Sequence, residues 1–307
     1  MPSSSISNSD FSLKTVIIRI SFFIIFFIIA DLLLGTALLK VHHRVKAGQN
    51  AGLINNAIKR KSNILILGSS RARHTYNDKF LSDKLRKKVY NAGNDGMGIL
   101  YATGLLSLVV KYQKPELIIL ELSSFGHKER TAARILMPYF GQSPELDNIL
   151  ADSWENRLLL HSRLYRLNGI FLSVLKNYFK RGPAWGFFPL NETYRENPEL
   201  EKSGPLSSKI RDYYFTFFNL VKKHNIKLLV VNSPSLNDVR KNNLSEFIAD
   251  YCNKNKIKYL PFYSYKYKHF QNISLFKDQI HLNKKGTKLF NPLFLEKFLE
   301  YFPEYRK

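Results

Sequence analysis

The amino-acid sequence predicts a three-layer α/β/α domain on a parallel sheet, placed behind a membrane-spanning N-terminal helix and carrying a helical insertion. Three observations predict it. Residues 20–39 read ISFFIIFFIIADLLLGTALL, with one charge, Asp31, in a stretch long enough to cross a bilayer core. From residue 63 onward, short β-rich apolar runs alternate with helical patterns, the order that gives a parallel sheet covered on both faces. The first of those runs ends in Gly68-Ser69-Ser70, so hydroxyls stand at the carboxyl end of a strand, where ligands sit in such sheets.

The elements follow in order. Residues 1–13 are polar and Ser-rich and read as a disordered tail. Residues 14–39 form the transmembrane helix, and the basic, polar stretch 40–61 reads as a juxtamembrane linker suited to anionic headgroups. Asp31 inside the span is costly without a partner, which makes it a candidate contact with another membrane protein. Lys14 and Arg19 flank one side of the span, and Lys40, Arg44 and Lys46 the other; local charge leaves the orientation open. Residues 62–307 then form the globular domain. Strands are predicted at 63–67, 88–91, 117–122, 226–231 and 257–261. Helices are predicted at 78–87 (apolar at Phe80, Leu81 and Leu85), 98–112, 208–223, 243–254 and 284–301, the last capped by Asn283.

Between the third and fourth strands lies an excursion at about 125–205, with helical spacing at Leu164, Leu167, Phe171, Leu175 and Tyr178. It reads as a helical subdomain packed on the sheet. A sharper reading makes it a lid or a surface resting on the bilayer, because Trp185, Phe187 and Phe188 lie beside Lys180 and Arg181.

Composition narrows the function classes. Hydrophobic content of 45% and charged content of 23% exclude bulk disorder. Against 24 Asp and Glu stand 47 Lys and Arg, and the net charge of +23 suits an acidic polymer or anionic headgroup. Nucleic acid is not expected, since no basic recognition helix or RNA-binding motif accompanies the charge. The lone Cys252 has no internal disulfide partner and reads as a buried structural thiol. No HExxH, CxxC pair or Gly-rich phosphate loop occurs, so neither a metal nor another cofactor is expected.

The chemistry sits in two stretches far apart in the chain. Ser70 follows the first strand, while Asp278-Gln279-Ile280-His281 puts a carboxylate and an imidazole three positions apart before the closing helix. Together they supply a nucleophile, a base and a carboxylate that orients the base. A serine hydroxyl is nearly inert until such an imidazole takes its proton. Arg71, Arg73 and His74 follow the nucleophile; they either bind a substrate carboxylate or phosphate or form the solvated side of the first turn. His127 reads as polar surface.

On these residues the chain resembles the SGNH (GDSL-like) hydrolase superfamily across roughly residues 62–300. Gly68-Ser69-Ser70 is similar to the family's first block, with Ser70 as nucleophile and Ser69 in the Asp position. Asp278-x-x-His281 is similar to the fifth block, and Asn91-Ala92-Gly93 to the second, whose glycine N–H lines the oxyanion hole. The third block departs: Glu121-Leu122-Ser123-Ser124 stands where the family has Gly-x-Asn-Asp, so the asparagine donor is missing. The resemblance implies a flavodoxin-like sheet and an oxyanion hole formed by the N–H groups of Ser70 and Gly93, with Asn94 or Ser123, or a partner protein, completing it. It further implies a serine esterase or O-acyltransferase moving an acyl group, acetyl above all, on a cell-envelope polysaccharide. The expected substrate is an acidic or lipid-linked glycan, and the expected partner a multispanning acyltransferase. The protein would be held in the cytoplasmic membrane by one span, its globular domain outside. The competing expectation is an anchored, non-catalytic glycan-binding or scaffold protein of an envelope acylation complex.

Overall fold

Five short strands stack in the order β2-β1-β3-β4-β5, all parallel, in a computed structural model that describes residues 13–122, 129–153, 157–180, 186–194, 206–236 and 243–306. They are β1 (Ile64–Leu67), β2 (Val89–Asn91), β3 (Leu117–Glu121), β4 (Lys227–Asn232) and β5 (Lys258–Pro261). Ile64 pairs with Val89 on one side and Leu117 on the other, Leu117 pairs with Lys227, and Leu229 with Lys258.

The strands are apolar almost throughout because both faces of the sheet are covered. Alternate side chains serve opposite layers. Leu65, Leu67, Ile118, Leu120, Leu228 and Val230 face a core shared with α3 (Leu53–Lys59), α6 (Ile99–Tyr112), α7 (Glu129–Leu136), α8 (Pro144–Ser153), α10 (Ser208–Lys223) and α11 (Asn243–Lys254). Ile64, Ile66, Leu117, Ile119, Leu229 and Val231 face α4 (Ser70–Thr75), α5 (Asp78–Leu85) and α12 (Lys284–Tyr301). The result is a three-layer α/β/α fold with the flavodoxin-like strand order. The direction in which successive strands are added reverses between β1 and β3, and at their carboxyl ends lies the crevice such folds use for ligands. Cys252 is buried as expected, its thiol pushed up to about 12 by burial.

The N-terminal helical run Leu13–His42 is long and apolar enough to cross a membrane. It comprises α1 (Leu13–Ala30), a wider π turn at Asp31–Gly35, and α2 (Thr36–His42). Asp31, expected as a candidate contact with another membrane protein, has partners within the chain. Its carboxylate accepts from Ser162 Oγ (2.7 Å), Arg163 N–H (2.9 Å) and Leu164 N–H (2.8 Å) of the insertion.

The linker predicted at 40–61 is corrected. Val45, Ala51, Leu53, Ile54 and Ala57 are core residues. Buried Asn55 donates to the carbonyls of His42 and Val45 and accepts from Tyr139 Oη, so this stretch is stitched to its neighbours rather than lying free.

The insertion is helical, as the apolar spacing implies, yet its path differs. A 3₁₀ turn at Tyr165–Leu167 stops at Gly169 (φ +76°), and α9 (Phe171–Tyr178) starts afresh. The predicted tail up to residue 12, and Ser123, His127, Arg181 and Trp185, lie outside the described residues.

Candidate active site

The nucleophile candidate is placed by a strand, a glycine and a cap. After β1 the chain turns through Gly68 at φ +147°, a region L side chains rarely enter. A Cβ there would also stand 2.9 Å from the Glu121 carbonyl and 3.0 Å from Ala72 Cβ. Ser69 then caps α4, accepting the Arg71 N–H at 3.4 Å. Ser70 is thereby the first helical residue, where the backbone N–H has no intrahelical acceptor.

The second stretch is fixed just as locally. Asn283 caps α12 by accepting the N–H groups of Lys285 (2.9 Å) and Gly286 (3.1 Å). Its amide also donates to the Ser274 and Phe276 carbonyls. Lys277 N–H donates to the His281 carbonyl at 2.9 Å, which closes residues 277–281 into a tight loop. Within it Asp278 accepts the N–H groups of Ile280 (3.0 Å) and His281 (2.9 Å) and faces His281 Nδ1 at 2.8 Å.

The structure brings the two stretches together: His281 Nε2 lies 2.7 Å from Ser70 Oγ. Because a carboxylate only accepts, Nδ1 carries the ring proton and Nε2 presents its lone pair to the serine. Burial works against the Asp278 charge, but the imidazole hydrogen bond and charge, with the two N–H groups, hold its carboxyl below the usual range. This arrangement can deprotonate a hydroxyl and return the proton to a leaving group.

A second histidine stands beside the first. The His74 ring lies 5.8 Å from that of His281, nearly perpendicular to it. Its Nδ1 is 2.6 Å from the Phe188 carbonyl and its Nε2 is 3.1 Å from Asp95 Oδ1. Asp95 also accepts from Arg73 at 3.2 Å, and the Arg73 guanidinium lies over the Phe188 ring. Burial opposes the Asp95 charge; the His74 hydrogen bond and the Arg73 charge outweigh it and keep the carboxyl low. Arg73 and His74 therefore border the site, with Arg73 Nη1 and both ring nitrogens of His74 turned to protein acceptors.

Arg71, a candidate substrate ligand by sequence, points the other way. It is 4% exposed, pairs with Glu121 at 3.3 Å, and donates to the Ser233 carbonyl and, at 3.1 Å, to Ser233 Oγ. Glu121 collects further donors: Tyr76 Oη at 2.5 Å and Ser233 Oγ at 2.7 Å. Burial pushes the Glu121 carboxyl up while Arg71 and these donors resist. This buried network occupies the carboxyl end of β3, where the family pattern has its missing asparagine. Its sequence signal was a lone charge ending the apolar run of β3.

The oxyanion donors expected after β2 are corrected too. Gly93 N–H donates to Asn91 Oδ1 at 3.0 Å. Its backbone presses so closely on α4 that a Cβ would sit 2.5 Å from Arg73 N. Asn94 N–H donates to the Gly68 carbonyl (3.1 Å), and its side-chain amide to Asn50 Oδ1 (3.0 Å). Asn50 itself is a non-glycine residue at φ +68°, in the stretch read as a linker. Asn50, Asp95 and Ser233 were missed as neighbours of the site, because each arrives from a separate segment of the chain. Among the described residues no group of His, Cys, Asp and Glu could hold a metal ion.

No protein-family model matches the chain, and no curated protein matches it in sequence. Among solved structures it is similar to a protein from Bacteroides fragilis NCTC 9343 described as a "putative acylhydrolase". The two are 12% identical, with a TM-score of 0.42 over 79% of this chain and 89% of that one.

Proposed function

We propose that the protein is a membrane-anchored serine esterase or O-acyltransferase acting on an acyl group, acetyl above all, of a cell-envelope glycan. The observation that carries this reading is the continuous line from Ser70 Oγ through His281 to Asp278, at 2.7 and 2.8 Å. In the proposed mechanism Ser70 Oγ attacks the acyl carbonyl while His281 Nε2 takes its proton. Asp278 steadies the imidazolium that forms. The tetrahedral oxyanion is met by the Ser70 N–H at the start of α4. Collapse forms the acyl-enzyme and expels the alcohol, protonated by His281. The imidazole then removes a proton from a sugar hydroxyl, or from water, which attacks the ester and frees Ser70.

A net charge of +23 supports an acidic or lipid-phosphate-linked glycan as substrate. The apolar Leu13–His42 run supports a position at a membrane; the cytoplasmic membrane, the domain outside it and a multispanning acyltransferase as partner are what the family resemblance implies. The test is turnover of an aryl acetate by the full chain in detergent, with and without an oligosaccharide acceptor. An acetylated acceptor, absent with Ser70→Ala, is the expected result. The non-catalytic scaffold reading is favoured by the engaged donors of Gly93 and Asn94. Glycan binding without any turnover would select it.

A further inference from the structure

We propose that the insertion lays a second apolar surface, built from the 157–164 turn and α9, in the same bilayer that α1 crosses, so that the chain grips the membrane at two places. This rests on α1 being a membrane span.

The boundary of the bilayer can be placed from the helix itself. From Ile20, just past the flanking Arg19, the residues of α1 up to Ala30 cover at about 1.5 Å each only about 16 Å, short of a hydrocarbon core of roughly 30 Å. The core must therefore reach Asp31 or beyond. That is the level at which the insertion touches the helix: Asp31 holds Ser162, Arg163 and Leu164 by three hydrogen bonds. Gly35, one turn on, lets the Arg163 backbone approach so closely that a Cβ would stand 2.5 Å from Arg163 Cβ. From this junction a groove of about 610 Å³ runs back along α1, lined by Phe23, Phe27 and Ile28 on one side and by His161 and Leu164 on the other. Its helix wall lies inside the apolar stretch, so an acyl chain is the occupant its position and lining suit.

The surface beside the groove has the composition of a membrane contact. α9 buries Val174 in the domain core, while Leu172, Leu175 and Phe179 recur three and seven positions apart on another face. Leu158, Leu172 and Phe179 are 81%, 78% and 80% exposed, and Leu164, Phe171 and Tyr178 are exposed with them. Elsewhere in the domain the exposed large apolar side chains, Tyr112, Phe215 and Leu289 among them, are scattered along the chain, as on ordinary soluble surfaces. Lys176 and Lys180 are exposed on the same segment and suit anionic headgroups. The bilayer-resting surface expected at Phe187 and Phe188 thus moves: Phe188 leans on Arg73 and His74 at the site, and the membrane contact falls to α9 and the turn before it.

The test uses the full chain in vesicles of phosphatidylcholine and phosphatidylglycerol. Cys252 is buried, so single cysteines at Leu158, Leu172 and Phe179 can carry a fluorophore, with Phe22→Cys marking the span and Lys254→Cys marking water. Quenching by brominated lipid at the three insertion sites should reach at least half of that at Phe22, while the Lys254 label stays bright. Insertion labels that are quenched only by aqueous iodide, beside a lipid-quenched Phe22 label, would overturn the proposal and leave the span intact. Labels shielded from both quenchers would overturn it in favour of contact between protein surfaces. A Phe22 label quenched from water would overturn the span and the proposal together.

Discussion

Two histidine–carboxylate pairs flank the same serine, and they differ in one respect. His281 gives Nδ1 to Asp278 and keeps Nε2 for Ser70 Oγ, whereas His74 has an acceptor on each nitrogen, the Phe188 carbonyl and Asp95. With both ring nitrogens turned to protein acceptors, His74 presents neither to Ser70; it fastens Phe188 to α4. A histidine's capacity to act as a base is thus decided by the nitrogen left open, not by the presence of a carboxylate.

The largest effects should separate the two pairs. On the proposed chemistry, Ser70→Ala and His281→Ala each lower aryl-acetate turnover by ~10⁴-fold or more, and the double variant falls no further, because the groups act as a unit. Asp278→Asn, which disfavours the required tautomer, should cost ~10³-fold or more in kcat. A His74→Gln variant as dead as His281→Ala would break the comparison.

Beneath both pairs, Glu121→Gln should destabilise the fold by about 3 kcal/mol in denaturant titration, since it leaves Arg71 buried without its charge partner. A cost near zero would mean that the network contributes little. His74→Gln should act more mildly, lowering stability by about 1–2 kcal/mol with a rate loss of roughly tenfold or less. Acid pH sharpens the contrast further. Asp278 is held below its ordinary value, so its contribution to stability is present above an unfolded value of about 3.9 and is lost only as pH falls through the still lower folded value. In Asp278→Asn that acid-side loss should shrink, and a pH series of melting curves reads it.

Much of this was legible in the chain. The strand ending in Gly68 and the Asp278–His281 loop before a capped helix are local devices, and local periodicity places α10 and α12 to the residue. What was hidden depends on where distant pieces land. Arg71 and Arg73 are two apart on one helix and look equivalent, yet one enters the Glu121 network and the other borders the site. Polar spelling at 40–61 masks core residues such as Val45 and Ile54, because the hydrogen bonds of Asn55 bury a segment whose composition suggests water. Asp31 finds its partners more than 130 residues away, a pairing that no spacing rule could announce.

Reaction of the full chain with a fluorophosphonate, followed by peptide mass mapping, tests the central claim most directly. One adduct on Ser70, absent in His281→Ala and retained in His74→Gln, is the predicted result. A folded protein that takes no adduct, or takes it on Ser69, would contradict the assignment of Ser70 as a nucleophile activated by His281.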